Sequence, residues 1–166
     1  MKIAINDTNI LIDFFDINLL NELMSLDLEM HTSDFVLFEI EIPEQLLNIE
    51  NLVAANKLKL DSFSTQELGI ISQKENDNSS LSLTDCSVWH WAKMNNAILL
   101  TGDGNLRKTA RNAGIEVHGS LWLLDLLVEQ MIINSNRACS ALTDLMNINS
   151  RLPKQECEAR KKLWCN

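Results

Sequence analysis

Short apolar runs alternate with longer stretches of helical periodicity along most of the chain. Residues 2–6 are rich in Ile and run straight into the turn-prone Asp7-Thr8-Asn9, which predicts a strand with a sharp exit. Ile10, Phe14, Ile17, Leu20, Leu23 and Met24 then fall on one side of a helix over residues 10–26. Residues 28–32 predict a second strand, Ser33 or Asp34 a cap for the helix after it, and Pro43 an interruption or end of that helix. Residues 57–61 predict a short edge strand. Ser64-Thr65-Gln66-Glu67 is a capping-box pattern that opens a helix, and the polar run 74–80 predicts a loop. Ser82-Leu83-Thr84-Asp85 repeats the capping-box pattern and starts a helix to about Asn95. Residues 97–101 predict a compact strand, Gly102-Asp103-Gly104 a tight turn, and residues 105–113 a helix that Gly114 ends. A last strand over 115–118 and a strongly apolar helix over 121–133 follow.

Such alternation predicts an α/β fold, a mostly parallel central sheet with helices on both faces. The pattern breaks at Asn134-Ser135-Asn136, and only helical periodicity follows. The chain thus divides into an α/β domain over residues 1–133 and a helical C-terminal extension over residues 134–166. With 166 residues the chain suffices for one domain with a real core. No apolar run approaches the roughly 20 residues of a membrane span, and a charge falls too early for a signal peptide. A cytoplasmic protein with no membrane contact is expected. Cys86, Cys139, Cys157 and Cys165 have no CxxC spacing, which argues against zinc and for free thiols in a reducing compartment; a Cys157–Cys165 pairing in a helical tail is the alternative. His31, His90 and His118 are scattered and read as structural, and the four Trp residues lie in apolar helical contexts that read as core.

A net charge of −9 argues against nucleic acid as a partner only if the charge is evenly spread. It is not. Residues 151–166 carry Arg151, Lys154, Arg160, Lys161 and Lys162 against Glu156 and Glu158, a net +3 that leaves −12 on the rest. An acidic body can hold cations, and a basic tail can meet phosphates. Arg107, Lys108 and Arg111 form a second basic group, with the spacing of Arg107 and Arg111 placing them near one helix face.

In open α/β sheets the ligand crevice lies beyond the carboxyl ends of the strands. Asp7 and Asp103 follow predicted strands, and Asp85 lies in the first turn of the helix that leads into the second of these. Three carboxylates converging there would repel one another without a cation or proton between them. Oxygen ligands without His or Cys select Mg²⁺ or Mn²⁺, which lower the pKa of a bound water and stabilise charge on a phosphate. Each acid also has a plain structural role open to it. Asp7 fits a turn, although Asp-Thr-Asn after an apolar strand favours function; Asp85 fits its capping box; Asp103 between two glycines fits a turn.

The segments Asn6-Asp7-Thr8-Asn9-Ile10-Leu11-Ile12-Asp13, Leu83-Thr84-Asp85-Cys86-Ser87-Val88 and Leu99-Leu100-Thr101-Gly102-Asp103-Gly104-Asn105-Leu106-Arg107 resemble successive motifs of PIN-domain nucleases. The closing segment from Gly114 to Leu121 is also similar, so the resemblance covers roughly residues 1–127. It implies a PIN-like three-layer α/β/α fold and a Mg²⁺- or Mn²⁺-dependent endoribonuclease, with Asp7, Asp85 and Asp103 as metal-binding acids. Thr8, Asn9 and Thr101 would be polar supports around them. The remaining acid of the family follows the second strand, where Phe35-Val36-Leu37-Phe38-Glu39 matches best; Glu41 and Glu44 are rivals because the helix phase through Ile40-Glu41-Ile42-Pro43 is open. Many members are VapC-type toxins, which implies an RNA substrate, an antitoxin partner and a homodimer, with Leu121, Leu124, Leu127 and Val128 as either a dimer face or core. Arg107, Lys108 and Arg111 are then candidates for phosphate binding. Asp13 lies too far along its helix to join the site. A phosphatase of the haloacid-dehalogenase type would need a second Asp where this chain has Asn9. The alternative from another class is a catalytically silent PIN-like module for protein–protein binding.

Overall fold

The computed structural model describes residues 1–165. Five strands among these residues form one sheet: β1 (Lys2–Asn6), β2 (Leu28–Ser33), β3 (Lys59–Asp61), β4 (Ile98–Leu100) and β5 (Val117–His118). Every pairing is parallel and the order is β3-β2-β1-β4-β5. The chain moves outward from β1 to β3 and returns through β4 on the other side of β1. The order therefore reverses between β1 and β4, where open α/β sheets place their ligand crevice.

Ten helices among the described residues cover the sheet and fill the gaps between strands: α1 (Thr8–Asp16), α2 (Leu20–Leu23), α3 (Asp34–Glu39), α4 (Pro43–Ala54), α5 (Thr65–Asp77), α6 (Leu83–Asn95), α7 (Gly104–Asn112), α8 (Ser120–Glu129), α9 (Ser135–Ile148) and α10 (Lys154–Trp164). Ile5, Leu99 and Leu100 from the sheet are fully buried beside Ile10, Leu11, Phe14, Leu123, Leu124 and Leu127 from α1 and α8. Burying side chains of this size stabilises by about 1.5–3 kcal/mol each before ordering costs. The buried face of α9, with Ala138, Ala141, Leu142 and Leu145, belongs to the same apolar cluster.

Several local expectations are corrected. The helix expected over 10–26 is two, because Asn18 takes a left-handed φ of 54° and turns the chain between α1 and α2. Pro43 opens α4 as its first residue instead of ending α3, consistent with its missing N–H. The run 74–80 is not all loop: α5 continues to Asp77, and Lys74 lies over the Trp89 ring at 3.7 Å. A polar run on an exposed helix looks like a loop when only hydrophobic periodicity is read. Leu121, Leu124 and Leu127 are buried and Val128 half-buried, so this face is committed to the core. The thiols differ too. Cys139 and Cys165 form a disulfide that fastens the end of α10 to α9, while Cys86 and Cys157 are free and buried.

Candidate active site

Asp7 leaves β1 and caps α1, accepting the Thr8 backbone N–H at 2.8 Å. Its own N–H donates to the Leu100 carbonyl at 2.9 Å, tying the ends of β1 and β4 together. The second carboxylate oxygen accepts from Asn9 Nδ2 at 2.8 Å and from the Thr101 hydroxyl at 2.7 Å. Asn9 Oδ1 in turn accepts the Gly102 N–H at 2.8 Å, and a Cβ on residue 102 would come within 3.2 Å of that oxygen. Glycine is what lets the turn after β4 close on α1. Thr101 Oγ1 also accepts the Asp103 N–H at 3.0 Å. Thr8, Asn9 and Thr101 thus hold the first and fourth strand ends in one network, with Asp7 at its centre.

The other acids arrive on helix termini. Asp103 caps α7 by accepting the Leu106 N–H at 2.8 Å. Asp85 closes the capping box of α6, accepting the Ser82 N–H at 2.8 Å. Glu39 stands exposed at the end of α3, where its Oε2 accepts the Thr8 hydroxyl at 2.6 Å. Ser33, the cap of α3, lies 3.2 Å from Ser87 on α6, so the helices that carry Glu39 and Asp85 are joined through buried hydroxyls. Glu41 and Glu44 are exposed beyond the end of α3, past the stretch where the chain turns extended.

Neighbouring acids act on Asp7 and Asp85. Burial pushes the Asp7 carboxyl from 3.8 to about 7, against the hydrogen bonds from Thr101 and Thr8, and the charges of Asp85 and Glu39 add to the rise. Asp85 is also raised, first by burial and then by Asp103 and Glu39, against its bonds to Ser82. Asp7 and Asp103 cap their helices and Asp85 completes a capping box, so each aspartate has a structural role at the start of a helix.

A family model described as a PIN domain matches residues 3–165, nearly the whole chain. The chain belongs to the PIN-domain family. PIN domains are in general nucleases. No curated protein matches this chain.

The donor set of this PIN domain is made of carboxylate, hydroxyl and amide oxygens, which suit a hard divalent cation and not a thiophilic one. As the side chains stand, no three His, Cys, Asp or Glu residues among the described ones lie close enough to enclose an ion. The caps explain this: hydrogen bonds to backbone N–H groups draw Asp7, Asp85 and Asp103 toward their own helices.

Three further polar residues near these acids have roles that only the folded chain reveals. Asp13 is buried. Burial raises its carboxyl, against bonds from Asn149 at 2.9 Å and Ser120 at 3.2 Å that pin α1 to the end of α9 and to α8. Arg151, just beyond α9, brings Nη1 to 3.9 Å from Asp103 Oδ2. Asn6 bridges to the His31 carbonyl at 3.0 Å and fixes β1 against β2 just before Asp7. All three depend on contacts between segments far apart in the chain.

Thr101→Val removes the strongest influence that holds Asp7 down. A hydrogen bond to a charged group is worth roughly 1.5–3 kcal/mol, so in the metal-free protein the Asp7 carboxyl is expected to titrate about one to two pH units higher. NMR titration of the side-chain carboxyl without divalent metal checks this.

Proposed function

We propose that the chain is a Mg²⁺- or Mn²⁺-dependent endoribonuclease that hydrolyses RNA phosphodiester bonds. The observation that carries the reading is a buried Asp7, bonded to Thr101 where the strand order reverses, whose carboxyl feels the charges of Asp85 and Glu39. Asp7, Asp85 and Asp103 would hold the cation. Asp7, with a carboxyl near 7, gives up its proton readily once positive charge is beside it. When bound, such an ion supplies an acidified water and stabilises charge on the scissile phosphate. Glu39, more exposed than the others and fixed by Thr8, is placed to accept a proton at the mouth of the crevice. The retention of an acid at all four positions is what favours this reading over a silent binding module.

The same reading extends to a toxin that works with a protein antitoxin, and to a homodimer. Phe38 at 86% exposure and Ile42 at 54% lie on either side of Glu39, an apolar rim that suits a protein covering the crevice. A cytoplasmic site of action belongs to the proposal. No helix of the described residues is long and apolar enough to cross a membrane. The Cys139–Cys165 bond is the feature that speaks for an oxidising environment instead.

The test is cleavage of single-stranded RNA by the purified chain with Mg²⁺ or Mn²⁺, and with EDTA in their place. Internal cuts that need the metal are expected. Intact RNA under all conditions, or equal cleavage in EDTA, contradicts the reading.

A further inference from the structure

A cavity of about 420 Å³ opens beside the acids, running from Gly102 and Gly104 to α10. In a chain of net charge −9, its lining holds Arg107, Arg111, Arg151 and Arg160 against a single acid, Glu156. Arg160 is neutralised where it stands, donating from Nε and Nη2 to the Asp125 carboxylate at 2.8 and 2.5 Å. Arg107 and Arg111 are not. Arg107, half-buried, donates Nη2–H to the Thr101 carbonyl at 2.9 Å, and Arg111 donates to the Val117 carbonyl at 3.2 Å. Neither has a carboxylate within ion-pair distance among the described residues. Arg151 reaches only to 3.9 Å from Asp103, and its side chain is 76% exposed.

Two neighbouring guanidiniums, one of them desolvated, disfavour each other, and burial followed by the Arg111 charge pulls Arg107 down from its ordinary range. Each guanidinium has five N–H donors, so one carbonyl leaves most of them unused. Gly119 is what makes room: a Cβ there would sit 2.4 Å from Arg107 Nη2. The far wall carries a different chemistry. The His118 and Trp122 rings stack in parallel at 3.9 Å and 10°, and both residues line the cavity half-buried, Trp122 also packing against the core as expected. Cationic donors beside a flat aromatic stack match a polyanion that also has planar rings. Single-stranded nucleic acid has both.

We propose that this cleft binds the single-stranded RNA next to the scissile bond. Phosphates lie on Arg107, Arg111 and Arg151, and a base extends the Trp122–His118 stack. The proposal rests on the ribonuclease reading, and it names the surface that overcomes the chain's repulsion of RNA. Arg151 links cleft and acids, placing one phosphate contact at the edge of the carboxylate crevice. Lys108, exposed on α7, does not line the cleft and drops out of this set.

The experiment is fluorescence anisotropy of a short fluorescein-labelled single-stranded RNA with the full chain in EDTA, at several salt concentrations, so that binding is read without cleavage. Arg111→Gln and Arg151→Gln remove exposed charges, and Lys57→Gln removes a charge elsewhere. Each arginine variant is expected to weaken binding roughly three- to tenfold and to lower the salt slope by about 0.7, with Lys57→Gln leaving both unchanged. Trp122→Leu, with its fold checked by circular dichroism, is expected to weaken binding at an unchanged salt slope. Equal losses from Lys57→Gln, unchanged slopes in both arginine variants, or competition by poly-glutamate as strong as by RNA overturns the cleft. Absence of RNA binding by the parent chain overturns it too. Cleft-dependent binding without any metal-dependent cleavage overturns the nuclease reading alone.

Discussion

Asp7→Asn is expected to melt higher than the parent chain above pH 7 and to lose RNA cleavage by at least about 100-fold, more than the usual loss from an outer-shell change at a metal site. Burial, with the charges of Asp85 and Glu39, lifts the folded carboxyl to about 7 from its ordinary 3.8. Between those values the folded chain keeps a proton that the unfolded chain has released, so stability falls as pH rises through this window. The interval of about three units corresponds to roughly 4 kcal/mol. Asn avoids that penalty but turns an amide toward the donors from Thr8, Asn9 or Thr101, which offsets part of it. A net gain of about 2 kcal/mol at pH 8 is expected, shrinking toward pH 5 where the parent holds its proton. Thermal unfolding of both proteins at pH 5 and pH 8 without divalent metal checks it. A variant less stable than the parent at pH 8 means that Asp7 is held as a cap and not as a frustrated charge.

Truncation after Pro153 is expected to cost roughly 6 kcal/mol, a large share of the stability of a domain this size. Read as charge alone, residues 151–166 look like a basic arm free to meet phosphates. The structure gives residues 151–165 a packing role. Trp164 is 7% exposed and Cys157 1%, and Arg160 is fixed on Asp125 of α8. Losing a buried Trp costs about 3 kcal/mol or more, and opening a disulfide loop of this length about 3 more. Urea unfolding of the chain ending at Pro153 checks this. An unchanged midpoint would mean that α10 is an appendage after all.

These two cases show what the sequence made legible. β1 and β4 stood out because an apolar run directly followed by Asp-Thr-Asn or Gly-Asp-Gly has few other readings, and the caps of α5 and α6 because Ser64–Glu67 and Ser82–Asp85 pair reciprocally. The rank of Glu39 over Glu41 and Glu44 was not legible from phase. The chain leaves the helix at Ile40 with ψ 106° and stays extended to Ile42, so helical counting stops applying there. Arg151, Asn149 and the His118–Trp122 stack are products of tertiary packing across the whole chain. Nothing local in α9 or in the turn after it announces that Asn149 will meet Asp13, 136 residues away. The disulfide was missed for the same reason: Cys139 and Cys165 stand 26 residues apart without a recognisable spacing, and meet because α10 folds back on α9.

On the proposed reading Asp7, Asp85 and Asp103 bind a divalent cation beyond the ends of β1 and β4. Calorimetric titration of Mn²⁺ into the parent, Asp85→Asn and Asp103→Asn proteins tests it most directly. Run near pH 7 in buffers of different ionisation enthalpy, it also counts released protons. Binding by the parent with a fraction of a proton released is expected, and at least about tenfold weaker binding in each variant. Equal Mn²⁺ affinity in all three proteins would contradict it.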